Sequence, residues 1–360
     1  MRDNAFEARQ EKLREKMRDG KLDAFVVSSA ANVRYLVGFT GSNGMLLALP
    51  NRTVFFTDPR YQFQAAQEVS CAVRVATGPL LARIISVLRR AKSRRVGFES
   101  SRMSFEGYQF LKENLPMRAS LEPVAGWIEQ FRMVKSADEI ACIRRSVEAN
   151  SKAFEEAVKR IRPGMRETDL AAEVDYRVRG QGAEGPAFET IVASGERSAL
   201  PHARPTSAAL RSNALLLVDM GATLDGYASD MTRMLFLGRP GARVKQVYNA
   251  VLEAQLAAID AVRPGRTAHA VDRAARQTLA GFGLDRAFMH STGHGLGLEI
   301  HEPPRLGRKD KTKLEKGMTV TIEPGIYLQG FGGIRIEDTV VVTANGCEVL
   351  TPTAKELRTI

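Results

Sequence analysis

Four acidic residues stand where strands of a core would want apolar side chains, and they are the first sign of chemistry in this 360-residue chain. The segment LLLVDMGATLDGYASDMTRMLFL (215–237) is apolar at both ends yet carries Asp219 and Asp230, eleven residues apart. TVTIEPGIYL (319–328) repeats the pattern with Glu323, and GGIRIEDTVVV (332–342) repeats it with Glu337. A buried carboxylate is costly unless it is paired or bound to a metal ion. Taken singly, each could be a strand-end turn residue or an ion-pair partner, and for Asp219 alone that reading is as good as a functional one. The histidines add to the pattern: there are five, none before residue 202, and His202, His290, His294 and His301 all lie in glycine-bearing segments. Three carboxylate-bearing strands with one histidine from HSTGHGLGLEIH (290–301) make a site of four carboxylates and one imidazole. That donor set is hard and oxygen-rich, and suits a pair of divalent ions such as Mn²⁺ or Co²⁺ better than a lone structural zinc. Two ions about 3.5–4 Å apart can share a hydroxide and clamp a tetrahedral intermediate. The chemistry implied is hydrolysis.

The elements that must hold these residues fall into two parts. Residues 1–131 read as alternating α/β: a charged amphipathic helix near 4–19, apolar strands in DAFVVSS, MLLALP, TVFFTD and VGFES, and a helix near 104–115. After Trp127 the character changes. Ser136 and Glu139 form a capping box that opens a long helix, so a second domain is expected over 132–360. Within it, IRPGMRETDLAAEVDYRV (161–178) resembles VRPGRTAHAVDRAARQTL (262–279). In each, Arg-Pro-Gly stops one helix and a second follows, which suggests a duplicated domain with its site at the seam.

Composition limits the setting. The charged N-terminus has no apolar signal core, and no stretch approaches the roughly 18 apolar residues of a membrane helix. Cys71, Cys142 and Cys347 are too few and too scattered for a disulfide framework or a cysteine-based zinc site, so a cytoplasmic protein is expected. The net charge is +11, and its densest run, RRAKSRR (89–95), lacks interleaved aromatics that could stack bases. It reads as a solvated helix end and loop, with no nucleic-acid or membrane partner.

The segments DMGATLDGYASDMTR, HSTGHGLGLEIHEPP, TIEPGIY and GGIRIEDT, in this order and spacing, resemble the pita-bread metallopeptidases, the family of aminopeptidase P, prolidase, methionine aminopeptidase and creatinase. The resemblance covers essentially the whole chain. It implies an α+β, internally duplicated pita-bread catalytic domain preceded by a smaller α/β creatinase-like domain. It also implies five metal ligands, Asp219, Asp230, His294, Glu323 and Glu337, holding two ions, with Mn²⁺ expected and Co²⁺ or Zn²⁺ as alternatives. Asp230 and Glu337 would bridge the ions, and Glu323 would also shuttle a proton. His202 and His301 would hold the substrate and stabilise an oxyanion, with His290 a further active-site histidine. Tyr327 and Arg335 would orient Asp219 and Glu337, although Tyr327 reads equally as a packed core aromatic.

Within the family, the expected substrates are peptides with proline in second position. NVRYLVGFTGSNGMLL (32–47) and FFTDPRYQFQAAQEV (55–69) resemble aminopeptidase P, which the sequence favours. The compact length and HEPPR (301–305) resemble prolidase, in which Arg305 would grip a dipeptide carboxylate. Relatives commonly form homodimers, which is expected here too. A binding module without catalysis is a remote alternative, because such folds generally lose ligands and this chain keeps all five.

Overall fold

A computed structural model describes residues 2–360, with side chains described from Asn4 onward. The chain divides into two compact units, the first ending at Arg132 and the second spanning Met133–Ile360.

The first unit is a six-stranded mixed sheet in the order Ala72–Val75, Arg52–Thr57, Gly44–Leu49, Ala24–Val27, Arg95–Glu99, Ser120–Val124. Ala24–Val27 is buried at every position, as expected of an apolar run covered on both faces. Helix Leu80–Ala91 buries Leu80, Ile84, Val87 and Leu88 against this sheet, and its last turn carries Arg89 and Arg90. Lys92 then caps it in the left-handed conformation (φ 57°), so the basic run is a helix end and its exit loop. Trp127 stacks on Phe25 at 5.5 Å.

The second unit opens with helix Ala137–Val158, whose Ser136–Glu139 capping box is fully formed. It is built twice. Arg162-Pro163-Gly164 and Arg263-Pro264-Gly265 each follow a long helix, and their glycines take φ of 80° and 81°, a region open to glycine but strained for other residues. Two residues on, Arg166 bridges to Ala209 and Thr267 bridges to Lys313. Fourteen-residue helices Glu167–Gly180 and Ala268–Gly281 then follow at the same spacing. Each helix pair backs its own sheet. The first is four-stranded, in the order Arg358–Thr359, Met231–Leu237, Ala214–Met220, Ile191–Ser194; the second is five-stranded, in the order Glu302–Leu306, Gly293–Gly295, Thr319–Ile322, Asp338–Val342, Cys347–Val349.

Strand Ala214–Met220 is buried on both faces, which is why it reads as a continuous apolar run. Leu216, Val218 and Met220 face the first helix pair. Leu215 and Leu217 face the larger core shared with the second half, and Asp219 follows them by the two-residue period.

Buried Arg233 joins the two sheets. From strand Met231–Leu237 it donates to Asp338 Oδ1 (2.7 Å), to the carbonyls of Thr353 (2.6 Å) and Ala354 (2.9 Å), and to that of Glu337. Asp338 also accepts from Gln255 (2.8 Å) and pairs with Lys355. Breaking a buried pair is strongly destabilising because one charge is left uncompensated. Asp338 keeps two partners, so Arg233→Met is expected to cost about 3 kcal/mol, at the low end of that range. A urea midpoint for the second unit unchanged by the substitution would show that Arg233 does not tie the sheets.

Candidate active site

Carboxylates and imidazole converge from strand ends. Asp219 lies one residue from the end of Ala214–Met220, and Asp230 immediately precedes Met231–Leu237. Glu323 and Glu337 stand at breaks where the chain leaves the five-stranded sheet for the hairpin Gly325–Leu328/Gly332–Arg335 and returns from it. His294 lies in the short strand Gly293–Gly295, which can press against its neighbours only because both flanks are glycine. A Cβ on Gly293 would come within 1.9 Å of the Thr321 carbonyl oxygen, and one on Gly295 within 2.3 Å of that of Pro303.

Asp230, His294 and Glu337 offer ligand atoms all within 4.8 Å of one another. His294 Nε2 is 3.6 Å from Asp230 and 3.5 Å from Glu323. Its Nδ1 faces the Gly295 carbonyl at 3.0 Å, and a carbonyl only accepts, so the proton sits on Nδ1. The Nε2 lone pair therefore points at two carboxyl groups, which is repulsive while they are ionised unless a cation lies between them. Asp219 Oδ1 and Glu337 Oε1 are buried with no hydrogen-bond partner. Open oxygens, an outward lone pair and a hard donor set all fit divalent cations.

The electrostatics carry the same demand. Burial, reinforced by Glu337 and Asp219, pushes Asp230 well above the usual carboxylate range. Burial and the charges of Glu323 and Asp219 do the same to Glu337. Glu323 is pushed up to about 7 by burial, with Arg335 opposing the rise and Asp219 adding to it.

A second layer holds these groups in place. Arg335 donates to Asp219 Oδ2 (2.6 Å), Thr232 Oγ1 (3.0 Å) and Tyr327 Oη (2.7 Å), and Thr232 donates in turn to Glu337 Oε2 (2.7 Å). Thr321 donates to Glu323 (3.4 Å) and accepts from the His294 N–H (3.1 Å). His290 faces Tyr327 rather than the carboxylates: Nδ1 meets the Ser291 carbonyl and Nε2 the Tyr327 hydroxyl, each at 2.8 Å. Burial and the nearby Arg335 lower His290 to about 4, so it is neutral and accepts the Tyr327 proton. Tyr327 is thus buried but bonded on both sides.

His301 is edge-on to His294, with ring centroids 4.5 Å apart. His202, His301 and Arg305 are exposed on the wall of one cavity of about 810 Å³, which also takes in Asp219, Asp230, His294, Glu323 and Glu337. The volume is within the range of small-ligand sites.

Two family profiles match the chain: the creatinase/prolidase N-terminal domain over residues 9–134 and metallopeptidase family M24 over residues 141–344. The chain belongs to metallopeptidase family M24. Among its M24 relatives, the Xaa-Pro dipeptidase of Pyrococcus furiosus is 36% identical over 349 residues, 97% of this chain and 99% of that protein. The structure of a Bacillus anthracis Xaa-Pro dipeptidase superposes with a TM-score of 0.95 at 36% identity, covering 99% of this chain and all of that one (100%). The Thermotoga maritima X-Pro aminopeptidase gives 0.89 at 36% identity, covering 94% of this chain and 98% of that one. The second unit accordingly has the pita-bread fold.

For an M24 metallopeptidase, sequence reasoning overlooked Thr232, Thr321 and the Arg233–Asp338 pair. Thr232 is the direct cross-strand partner of Asp219, a relation that needs the register. Arg233 did leave a signal, a lone cation in the apolar run MTRMLFL, of the kind that exposed the carboxylates.

A carboxyl with a raised folded pKa keeps its proton above the pH at which the unfolded chain releases it. The stability present below the unfolded value is therefore lost as pH climbs through the folded one. With Glu323 shifted from 4.5 to about 7, and Asp230 and Glu337 also raised, chelated protein should lose thermal stability as pH rises across that window. Divalent cations should flatten the slope. A melting midpoint of chelated protein that stays level or rises across the window would contradict this electrostatic account.

Proposed function

We propose that this chain is a metal-dependent Xaa-Pro dipeptidase. The observation that carries the reading is Arg305, whose guanidinium donates to Ser291 Oγ (3.2 Å), has no ion-pair partner among the described residues, and lines the cavity of the carboxylate cluster. Its backbone is the cross-strand partner of His294, which sets it one strand from the reacting centre. A free guanidinium there suits a dipeptide's terminal carboxylate, which it can grip with two parallel hydrogen bonds. The names of the Pyrococcus and Bacillus relatives point the same way. The aminopeptidase P reading favoured by the N-terminal segments keeps support from the Thermotoga X-Pro aminopeptidase, at the same 36% identity as the Bacillus dipeptidase.

Asp219, Asp230, His294, Glu323 and Glu337 would hold two divalent ions, Mn²⁺ by the hardness of the set, which would supply Lewis acidity toward water and the scissile carbonyl. Glu323 would take the water's proton and deliver it to the proline nitrogen, which cannot leave as an anion. Proline has no amide hydrogen and a fixed φ, so Xaa-Pro offers a kinked tertiary amide that a shaped wall can select. His202 and His301 would hold the carbonyl side. Burial and the neighbouring His294 lower the pKa of His301, so it acts as a neutral donor. We keep a cytoplasmic homodimer as part of this reading, the compartment resting on three free cysteines.

Glu337→Ala should abolish metal retention and lower turnover by about a thousandfold or more. A variant that retains both ions and near-normal rate would refute the ligand set. Substrate length tests the finer assignment. The Mn²⁺-loaded enzyme should cleave Gly-Pro and leave Gly-Pro-Gly largely intact, and Arg305→Ala should cripple Gly-Pro cleavage. Wild type that turns over the tripeptide at least as fast as the dipeptide establishes the aminopeptidase instead.

A further inference from the structure

His202 is exposed within the part-buried segment between Ser194 and Thr206, and its imidazole makes no hydrogen bond to the protein among the described residues. Its hydrogen-bonded anchorage therefore runs through the backbone. That backbone is gathered by one side chain. Glu167, the first residue of helix Glu167–Gly180, is wholly buried. Its Oε1 accepts from the Ser194 N–H (2.9 Å) and Arg197 Nε (3.1 Å). Its Oε2 accepts from Arg197 Nε (3.0 Å), the Thr206 N–H (3.0 Å) and Thr206 Oγ1 (2.7 Å). Ser194 and Thr206 are the two ends of the stretch that carries His202, so this carboxylate closes it into a loop. Arg197 tightens the loop by donating to the Arg204 carbonyl (2.7 Å). At the crown, Arg335 donates to the carbonyl of Pro201, the residue before His202 (3.1 Å).

A helix N-terminus already favours a carboxylate, and a cap alone would need one or two backbone donors. Glu167 instead turns its oxygens to a segment 27–39 residues away in sequence. The duplicated half repeats the device one turn further along its second helix. There buried Asp272 accepts from the Thr292 N–H (3.2 Å) and Oγ1 (2.9 Å) and pairs with Arg276 (2.8 Å). Arg276 holds the carbonyls of Phe288 (2.9 Å) and His290. In both halves a buried carboxylate–arginine pair clamps a histidine-bearing segment.

We propose that Glu167 is the positioning residue of His202: a buried carboxylate that closes the Ser194–Thr206 segment into a fixed loop and so sets where the imidazole meets the substrate. This rests on the reading that His202 contacts the substrate. A double-mutant cycle in the full-length, Mn²⁺-loaded protein tests it, with kcat, KM, bound metal and melting temperature measured on Gly-Pro for Glu167→Gln, His202→Ala and the double variant. Glu167→Gln should lower kcat and kcat/KM together by on the order of tenfold to a hundredfold with the metal retained, the scale of a misplaced catalytic contact. In the His202→Ala background the same change should lower them no further, because the group it serves is gone. A purely structural role predicts losses that multiply in the double variant, or a fall in melting temperature with kcat intact, and either overturns the proposal. Should Glu167→Gln fail to fold, Arg197→Lys, at a position whose side chain is one-third exposed (33%), enters the same cycle with the same expected coupling. Normal turnover by His202→Ala would overturn the role of His202 itself, and this inference with it.

Discussion

Four carboxylates and an outward-facing imidazole lone pair share one buried space, and this concentration of like charge is what the rest of the catalytic unit must answer. Burial alone raises the pKa of Asp230, Glu323 and Glu337, and mutual repulsion raises it further. Among the described residues, the cation bonded to the cluster is Arg335, which donates to Asp219 and reaches Glu337 through Thr232. One bonded cation against four carboxylates leaves a deficit of positive charge that divalent ions would offset. The metal requirement is therefore a consequence of charge and burial as well as of family membership.

Duplication explains how such a site arises from ordinary elements. Each half offers a helix pair, a tight Arg-Pro-Gly turn and a sheet. Asp219 and Asp230 come from the first half, and His294, Glu323 and Glu337 come from the second. Strand ends are the natural places for them, because there the ladder stops and a side chain can turn inward without displacing an apolar neighbour. Arg233 and Asp338 then lock the two sheets directly behind Glu337. The backbone of Glu337 is thus anchored by an ion pair whose residues do not line the cavity.

Much of this was legible in the sequence because anomalies of polarity are legible. A carboxylate in LLLVDM or TVTIEP violates the burial rule, and the violation marks the site without any knowledge of the fold. The Ser136–Glu139 cap and the Arg-Pro-Gly turns were equally local and equally readable. What could not be read was pairing. That Thr232 stands opposite Asp219, or that His290 turns toward Tyr327, depends on register and on ring orientation. His290 shows the limit well: the family resemblance implied a further active-site histidine there, but only geometry separates a group at the carboxylates from one that faces Tyr327. Glu167 was hidden for a related reason, since a glutamate opening a helix looks like an unremarkable first-turn residue.

The same geometry divides the labour within the site. The candidate ligand groups sit on or beside strands, whose ladders fix them against one another. His202, His290 and His301 sit on connecting segments, where a residue can approach a substrate that must enter and leave. Segments of that kind are normally the more mobile parts of a fold, and an imidazole that wanders by an ångström loses most of its effect. The structure resolves the conflict by tethering the segments of His202 and His290 to buried carboxylates on neighbouring helices, Glu167 and Asp272. The carboxylate cluster and the histidine-bearing segments are thus held largely by different contacts, with Arg335 joining them through Asp219 and the Pro201 carbonyl. Glu189, Arg204 and Arg305 line the same cavity away from the carboxylates, so the wall and the charged centre are built from different residues.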